Sequence, residues 1–242
     1  MKRQKIRKSL LFLSFLLFQI RIVHLFLSPV LIIVGTSQGI ITGSFAIFIL
    51  LFLSSLYFGR AFCAWLCPGA AMQEFCSTFI HKKATGGKYN RIKYVIWSLW
   101  IGVIVYSAVR AGGYRSLDLF YGIGPGSTAQ KYIIFFGAAV LIVPTTWLWG
   151  KWALCHYSCF IAPFLVIGTQ MKDWGKWPSL HLQIKEDTCT QCELCDQHCP
   201  MSLNVSEMVT AGSMKNSECI LCGNCVDGCP TGIIQYSFSN PS

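Results

Sequence analysis

Apolar residues run through four long stretches of the chain and then give way to a polar tail rich in cysteine. The first stretch, "LLFLSFLLFQIRIVHLFLSPVLIIVG" at residues 10–35, follows the basic head "MKRQKIRKS" at 1–9. The others lie at 41–58, 93–110 and 131–149. Each approaches the roughly 20 residues needed to cross about 30 Å of hydrocarbon, so the pattern predicts four transmembrane helices. Pro29 and Pro144 are expected to kink theirs, which membrane helices tolerate. The stretch at 159–170 is too short to span and reads as a re-entrant or interfacial helix; a register starting near Ala153 would make it a fifth span. In the tail, "LHLQIK" and "IIQYSF" alternate like short strands, expected to pair as an antiparallel ribbon. "VSEMVTAGSM" between them reads as one short helix.

Charge adds a topology. Lys and Arg crowd the head, the 59–92 loop and the region after residue 150, while the loops at 36–40 and 111–130 carry almost none. Positive residues stay inside, so the N-terminus, the 59–92 loop and the C-terminal module are expected on the cytoplasmic face of a multi-pass inner-membrane protein. Only 12% of residues are charged, against about 25% in ordinary soluble domains. The net charge of +10 is therefore read as membrane flanking. No basic face interleaves with base-stacking aromatics, which argues against nucleic acid. A cleaved signal peptide is disfavoured, because the first apolar run is long and contains Arg21.

The strongest motif is "CTQCELCDQHCP", Cys189 to Pro200, repeated as "CILCGNCVDGCP", Cys219 to Pro230. Both read C-x2-C-x2-C-x3-C-P, the spacing of bacterial ferredoxins, in which the fourth Cys ligates the other cluster. A tight turn supplies three thiolates and a fourth arrives from afar. Cys189, Cys192, Cys195 and Cys229 are thus expected to hold one [4Fe–4S] cluster. Cys219, Cys222, Cys225 and Cys199 are expected to hold the other. Structural zinc favours C-x2-C pairs instead. The domain plan is a head at 1–9, a transmembrane domain with two helix-pair repeats at 10–178, and a two-cluster ferredoxin module of α+β type at 179–242.

Two further cysteine pairs sit at matching helix ends, in "GRAFCAWLC" and "GKWALCHYSC". At i,i+4 spacing the Cβ atoms lie about 5–6 Å apart, too far for a disulfide on an intact helix. Two readings are open. Cys63, Cys67, Cys155 and Cys159 meet as a third centre, iron–sulfur or another soft metal such as copper, or they are small apolar residues in close helix packing. Cys76 reads as packing. Within the first apolar run, Gln19, Arg21 and His24 are polar at membrane depth and form a candidate site for a menaquinone or ubiquinone headgroup; helix packing or subunit contact is the alternative. Asp118 in the 111–130 loop is a candidate proton acceptor beside it.

Together these features resemble the NapH-type membrane polyferredoxins, related to the membrane halves of NosR and of the oxidase assembly proteins CcoG and RdxA. The resemblance rests on Gly59-Arg60, Cys63 and Cys67-Pro68, Cys155 and Cys159, and the two ferredoxin motifs. It implies four helices, cytoplasmic clusters and quinol-linked electron transfer to a partner. The second pair departs from the pattern: Phe160 follows Cys159, and proline waits until Pro163. The expected role is an electron-transfer component of an oxidoreductase complex, joining the quinone pool to a redox partner protein. The alternative is a copper reductase or metalloenzyme assembly factor of the CcoG kind.

Overall fold

The computed structural model describes residues 2–122, 142–185 and 189–240, without the side chains of 21–23. The first apolar stretch forms three helices rather than one span: α1 (Lys2–Phe18), α2 (Arg21–Phe26) and α3 (Pro29–Ser37). The breaks have local causes. Ile20 is extended at the start of α2. The Ser28 hydroxyl accepts from the Leu31 amide at the start of α3, with Pro29 at the first helical position, where its missing N–H costs nothing. α1 itself begins inside the basic head, and Arg7 is fully buried, its Nη2 donating to Glu74 Oε1 at 2.6 Å.

The second stretch opens as a strand, β1 (Ile40–Thr42), and continues as α4 (Gly43–Phe58). These 16 helical residues extend about 24 Å, short of the hydrocarbon core. Two short helices follow, α5 (Ala61–Trp65) and α6 (Pro68–Ser77). A 3₁₀ turn (Gly87–Arg91) leads into α7 (Ile92–Arg110). Together they form a 24-residue helix, among the described residues the one long and apolar enough to cross a membrane. Of the expected span at 131–149, residues 131–141 lie outside the described residues and 142–149 are helical.

The four-helix transmembrane bundle is therefore corrected: the described residues hold one candidate span among many shorter helices and two small sheets. Apolar content alone misleads here, because caps and turns inside the apolar runs end helices before they reach membrane length. The segment at 159–170 is corrected too. It lies in α9 (Ile161–Gly175), after the short α8 (Ala153–Tyr157). Ala162, Leu165 and Val166 on α9 are completely buried, so it is a core helix and not a re-entrant or interfacial one. It packs along α4. The approach is close enough that a Cβ on Gly168 would lie 1.8 Å from Ser55 Oγ.

The two loops poor in positive charge meet. β2 (Ser116–Asp118) pairs in parallel with β1, Ile40 opposite Ser116. The cysteine-rich module closes with β3 (Ser179–Ile184) antiparallel to β4 (Ile234–Ser239), Ser179 opposite Ser239 and Ile184 opposite Ile234. Between them lie α10 (Leu194–His198), α11 (Val205–Thr210) and α12 (Asn224–Gly228). The expected ribbon and short helix are both present. Leu182, Val205, Val209, Ile233 and Ile234 form the module's core.

Candidate functional site

The two C-x2-C-x2-C-x3-C-P motifs fold alike. In the first, Gln191 (φ 53°) and Glu193 (φ 56°) flank Cys192 in the left-handed region; in the second, Leu221 (φ 53°) and Gly223 (φ 76°) flank Cys222. After the last cysteine of each motif the chain turns left-handed again, at Ser202 (φ 51°) and Gly232 (φ 68°). Left-handed residues on both sides of the middle cysteine curl the backbone around a common point, at a steric cost for every residue there except Gly. α10 and α12 start from these turns and pack against each other, which brings the fourth cysteine of each motif towards the other.

Cys199, Cys219, Cys222 and Cys225 line one cavity whose other walls include Leu182, Met201, Leu203, Val205 and Ile220. Burial raises all four thiols, Cys199 to about 11 and Cys222 to about 12, and the charges of neighbouring cysteines add to the rise at Cys199, Cys222 and Cys225. Four convergent thiols in an apolar cradle fit an iron–sulfur cluster, whose insertion must displace those protons. Among the described residues no three His, Cys, Asp or Glu side chains are gathered around a single ion.

The other set differs in exposure. Cys189 and Cys192 are exposed, and Cys195 and Cys229 are half-buried. Cys192 adds to the burial and Asp196 effects that raise Cys195. For Cys229, burial is outweighed by the Thr231 hydroxyl and nearby amides, and its thiol is held low. One set of four thus faces the interior of the chain and the other faces out.

The remaining cysteines gather at two helix breaks. Cys63 lies in α5 and Cys155 in α8; Cys67 and Cys159 follow each helix, outside regular structure. Cys63 and Cys155 are buried in a core shared with Trp152, Met201, Ile220 and Cys222, with Cys67 and Cys199 packed against it. Burial pushes Cys63 up to about 11 and raises Cys67 and Cys155 as well; Cys159 adds to all three, and Cys155 also responds to Cys63 and Cys67. The four sulfurs therefore act as one electrostatic group. The absent proline does not disturb this. Pro68 opens α6 directly after Cys67, whereas Phe160 caps α9 and Pro163 falls in its first turn, where proline is tolerated.

Several polar residues surround these thiols, and of them only Arg60 belonged to a motif read in the sequence. Gln73 Nε2 donates to Cys155 Sγ at 3.0 Å, and its Oε1 accepts from the Leu154 amide at 3.1 Å. Arg60, fully buried, donates from Nη1 to Glu218 Oε2 at 2.6 Å. Lys93, also buried, reaches Glu218 Oε1 at 2.5 Å. Burial alone would raise the Glu218 carboxyl, but Arg60 and Lys93 hold it below its ordinary value. Trp65 Nε1 and Tyr236 OH both donate to the Leu221 carbonyl, at 3.1 and 2.7 Å, pinning the second cysteine turn to α5 and to β4. Beside Cys219, a cleft of about 140 Å³ is lined by Arg60, Lys172, His181 and Lys215. The Arg60–Glu218 contact had signals at both ends: Arg60 lies in the motif before Cys63, and Glu218 directly precedes Cys219.

The three polar residues of the first apolar run do not form a closed pocket among the described atoms. Gln19 is exposed, its Nε2 donating to Phe15 O at 3.3 Å. His24 meets the edge of Phe18, ring centroids 4.9 Å apart. Arg21 heads α2, and its side chain is outside the described set. Asp118 Oδ1 accepts from the Phe120 amide at 3.0 Å in a local turn. Cys76 is buried in packing.

A family model for a 4Fe–4S binding domain matches residues 40–85, and one for a 4Fe–4S dicluster domain matches 181–231. The first covers Cys63 and Cys67; the second covers all eight cysteines of the tail. The uncharacterized protein MJ0750 of Methanocaldococcus jannaschii is 25% identical over 202 residues, 76% of this chain and 75% of its own length. The putative electron transport protein YccM of Escherichia coli is 22% identical over 223 residues, 87% of this chain and 60% of its own. The regulatory protein NosR of Pseudomonas aeruginosa is 25% identical over 185 residues, 71% of this chain and 24% of its own. The chain thus spans a little over half of YccM and about a quarter of NosR. No solved structure matches it.

Proposed function

We propose that this chain, which matches 4Fe–4S family models and is similar to YccM and NosR, is a 4Fe–4S electron-transfer protein that serves as a membrane-anchored relay between the quinone pool and a partner redox protein. The partner is a further subunit of an oxidoreductase complex. The observation that carries this reading is the ordering of the thiols from core to surface. Cys63, Cys155 and Cys222 share one buried core, and Cys189 and Cys192 stand exposed at the far end.

Each set of residues has a distinct task. Cys199, Cys219, Cys222 and Cys225 hold the inner cluster, and Cys189, Cys192, Cys195 and Cys229 hold the outer one. Cys63, Cys67, Cys155 and Cys159 hold an additional centre. Bound there, such clusters supply one-electron carriers whose potential the protein sets through charge, hydrogen bonds and solvent access. Met201, Ile220 and Trp152 keep water from the inner thiols. The exposed rim at Cys189 and Cys192 is where the partner docks. At the α1–α2 junction, Gln19, Arg21 and His24 hydrogen-bond the oxygens of a menaquinone or ubiquinone headgroup.

Membrane attachment is supported by the apolar residues that the fold leaves facing outward. Leu50 and Leu53 on α4, with Val95, Leu99 and Val103 on α7, are all exposed. Exposed apolar surface on this scale marks a lipid or partner interface. The basic head and the cysteine module lie together, Gln4 Nε2 donating to Cys222 O at 3.0 Å, and their charge supports a cytoplasmic position. The test is reduction of the purified protein, in lipid and with its iron intact, by a menaquinol analogue. The clusters' visible absorbance should bleach. If the reduced analogue leaves the spectrum unchanged while dithionite bleaches it, the quinone link is wrong.

A further inference from the structure

Arg60 is a fully enclosed cation beside the thiols. It is 0% exposed. Its Nη1 is satisfied by Glu218 Oε2 at 2.6 Å and Ser217 O at 3.4 Å, whereas Nε and Nη2 are buried with no acceptor. The indole Nε1 of Trp152, three residues before Cys155 and also 0% exposed, is in the same condition. A buried donor left unpaired costs about 1–3 kcal/mol, and more when it carries charge. Three such donors near one place are not explained by packing, so an acceptor belongs there.

The surroundings identify its chemistry. Arg60 and Lys93 bring two positive charges against the single negative charge of Glu218, which leaves an unbalanced cation in a low-dielectric interior. Cys63, three residues after Arg60, and Cys155 share one buried core with Trp152. A neutral thiol is a weak acceptor. A thiolate is better, and the inorganic sulfide of an iron–sulfur cluster offers further acceptor positions between the thiolates.

Resting on the reading that Cys63, Cys67, Cys155 and Cys159 hold an additional centre, we infer that this centre is an anionic polynuclear iron–sulfur cluster. Arg60 and Trp152 are its hydrogen-bond donors. Arg60 is a positioning residue that sets the cluster's potential and, through Glu218, ties it to the segment carrying Cys219. Donors and positive charge stabilise the reduced, more negative state, so this cluster is poised higher than it would be in the same cradle without Arg60.

The experiment uses the full chain in detergent or lipid, with iron and acid-labile sulfide analysis and a redox titration followed by electron paramagnetic resonance. The wild type should carry about twelve irons and three separable signals, taking about four irons per cluster. Arg60→Gln should move one signal to lower potential and leave the other two in place. Arg60→Lys, which keeps charge but loses the fork, should move it less. Trp152→Phe removes one N–H from a packed ring and should move the same signal in the same direction. About eight irons in the wild type, with Cys63 and Cys155 open to alkylation after denaturation, would mean there is no third centre and would overturn the underlying reading. Three clusters with no shift in Arg60→Gln or Trp152→Phe would overturn the donor inference alone. Should Arg60→Gln fail to accumulate, Trp152→Phe decides: a shift supports the inference and no shift overturns it.

Discussion

Arg60 and Glu218 are 158 positions apart in sequence, and their side chains meet at 2.6 Å. Lys93, near the start of α7, joins the same carboxylate. Three parts of the chain are thereby fastened at one point: the helix break that carries Cys63, the candidate span, and the segment leading into Cys219. Glu218→Ala would strand two buried cations. Removing one partner of a buried ion pair costs about 3–5 kcal/mol, so the variant should unfold at clearly lower denaturant, and limited proteolysis should release the cysteine module early. Unchanged unfolding and cleavage would mean the trio is not what joins these parts.

The same trio should be insensitive to pH over the ordinary range. Glu218 is held below its usual value of 4.5 by Arg60 and Lys93 against the opposing effect of burial. A carboxylate with a lowered folded pKa contributes stability that is fully present above the unfolded value and is lost only as pH falls through the lowered one. The fraction of protein resisting proteolysis at the module junction should therefore be constant between about pH 6 and 8. A decline on going from 8 to 6 would point to a different titrating group as the fastener.

The two ferredoxin-type sites should respond differently to loss of a ligand. Cys222 is buried in the core shared with Cys63 and Cys155, whereas Cys192 is exposed. Cys192→Ser should cost about four irons and leave thermal stability nearly unchanged. Cys222→Ser should cost a similar amount of iron and also lower stability, because a hydroxyl then sits in an apolar cavity without its cluster. Iron analysis beside circular-dichroism melting separates the two. Equal destabilisation by both would remove the inside-to-outside ordering on which the relay rests.

The sequence made part of this legible. Eight cysteines at ferredoxin spacing announced two turns, and the left-handed residues around Cys192 and Cys222 are what such turns require. The echo of "GRAFC" in "GKWALC" predicted that both pairs lie at helix breaks, which is where α5 and α8 end. What hydropathy hid was punctuation. Ser28-Pro29 and the turn at Gln19 and Ile20 cut one apparent span into three helices. It also counted Arg60 and Lys93 as membrane-flanking cations, although both are buried and paired. Their acid comes from the far end of the chain, and no local pattern could supply it. α9 was misread because its apolar run was judged by length against a membrane, whereas Ala162, Leu165 and Val166 are buried within the fold.

That packing makes Gly168 a sensitive position. A Cβ there would stand 1.8 Å from Ser55 Oγ and 3.3 Å from the Phe52 carbonyl oxygen. Gly168→Ala should therefore wedge α9 from α4 and cost about 1–3 kcal/mol, despite alanine's better helix propensity. Ser55→Gly removes the clashing atoms and should recover part of the loss. A double-mutant cycle by denaturant unfolding measures the coupling; additive effects would show that the helices are not in contact at this point.

The outward apolar face of α7 gives the sharpest test of membrane attachment. Leu99 lies midway along the helix and is 69% exposed, while its neighbour Trp100 is 8% exposed against Phe48 and Phe164. If that outward face meets lipid, an arginine at Leu99 is placed near the hydrocarbon centre, at a cost of about 2.5–3.5 kcal/mol. Leu99→Arg should shift the protein from the membrane pellet towards the carbonate-soluble fraction. Leu99→Ala, which keeps the face apolar, should remain in the pellet. Because the side chain is mostly exposed, the arginine should leave iron content intact, and that separates loss of anchoring from loss of folding. Retention of Leu99→Arg in the pellet with full iron would show that this face of α7 is not what meets the membrane.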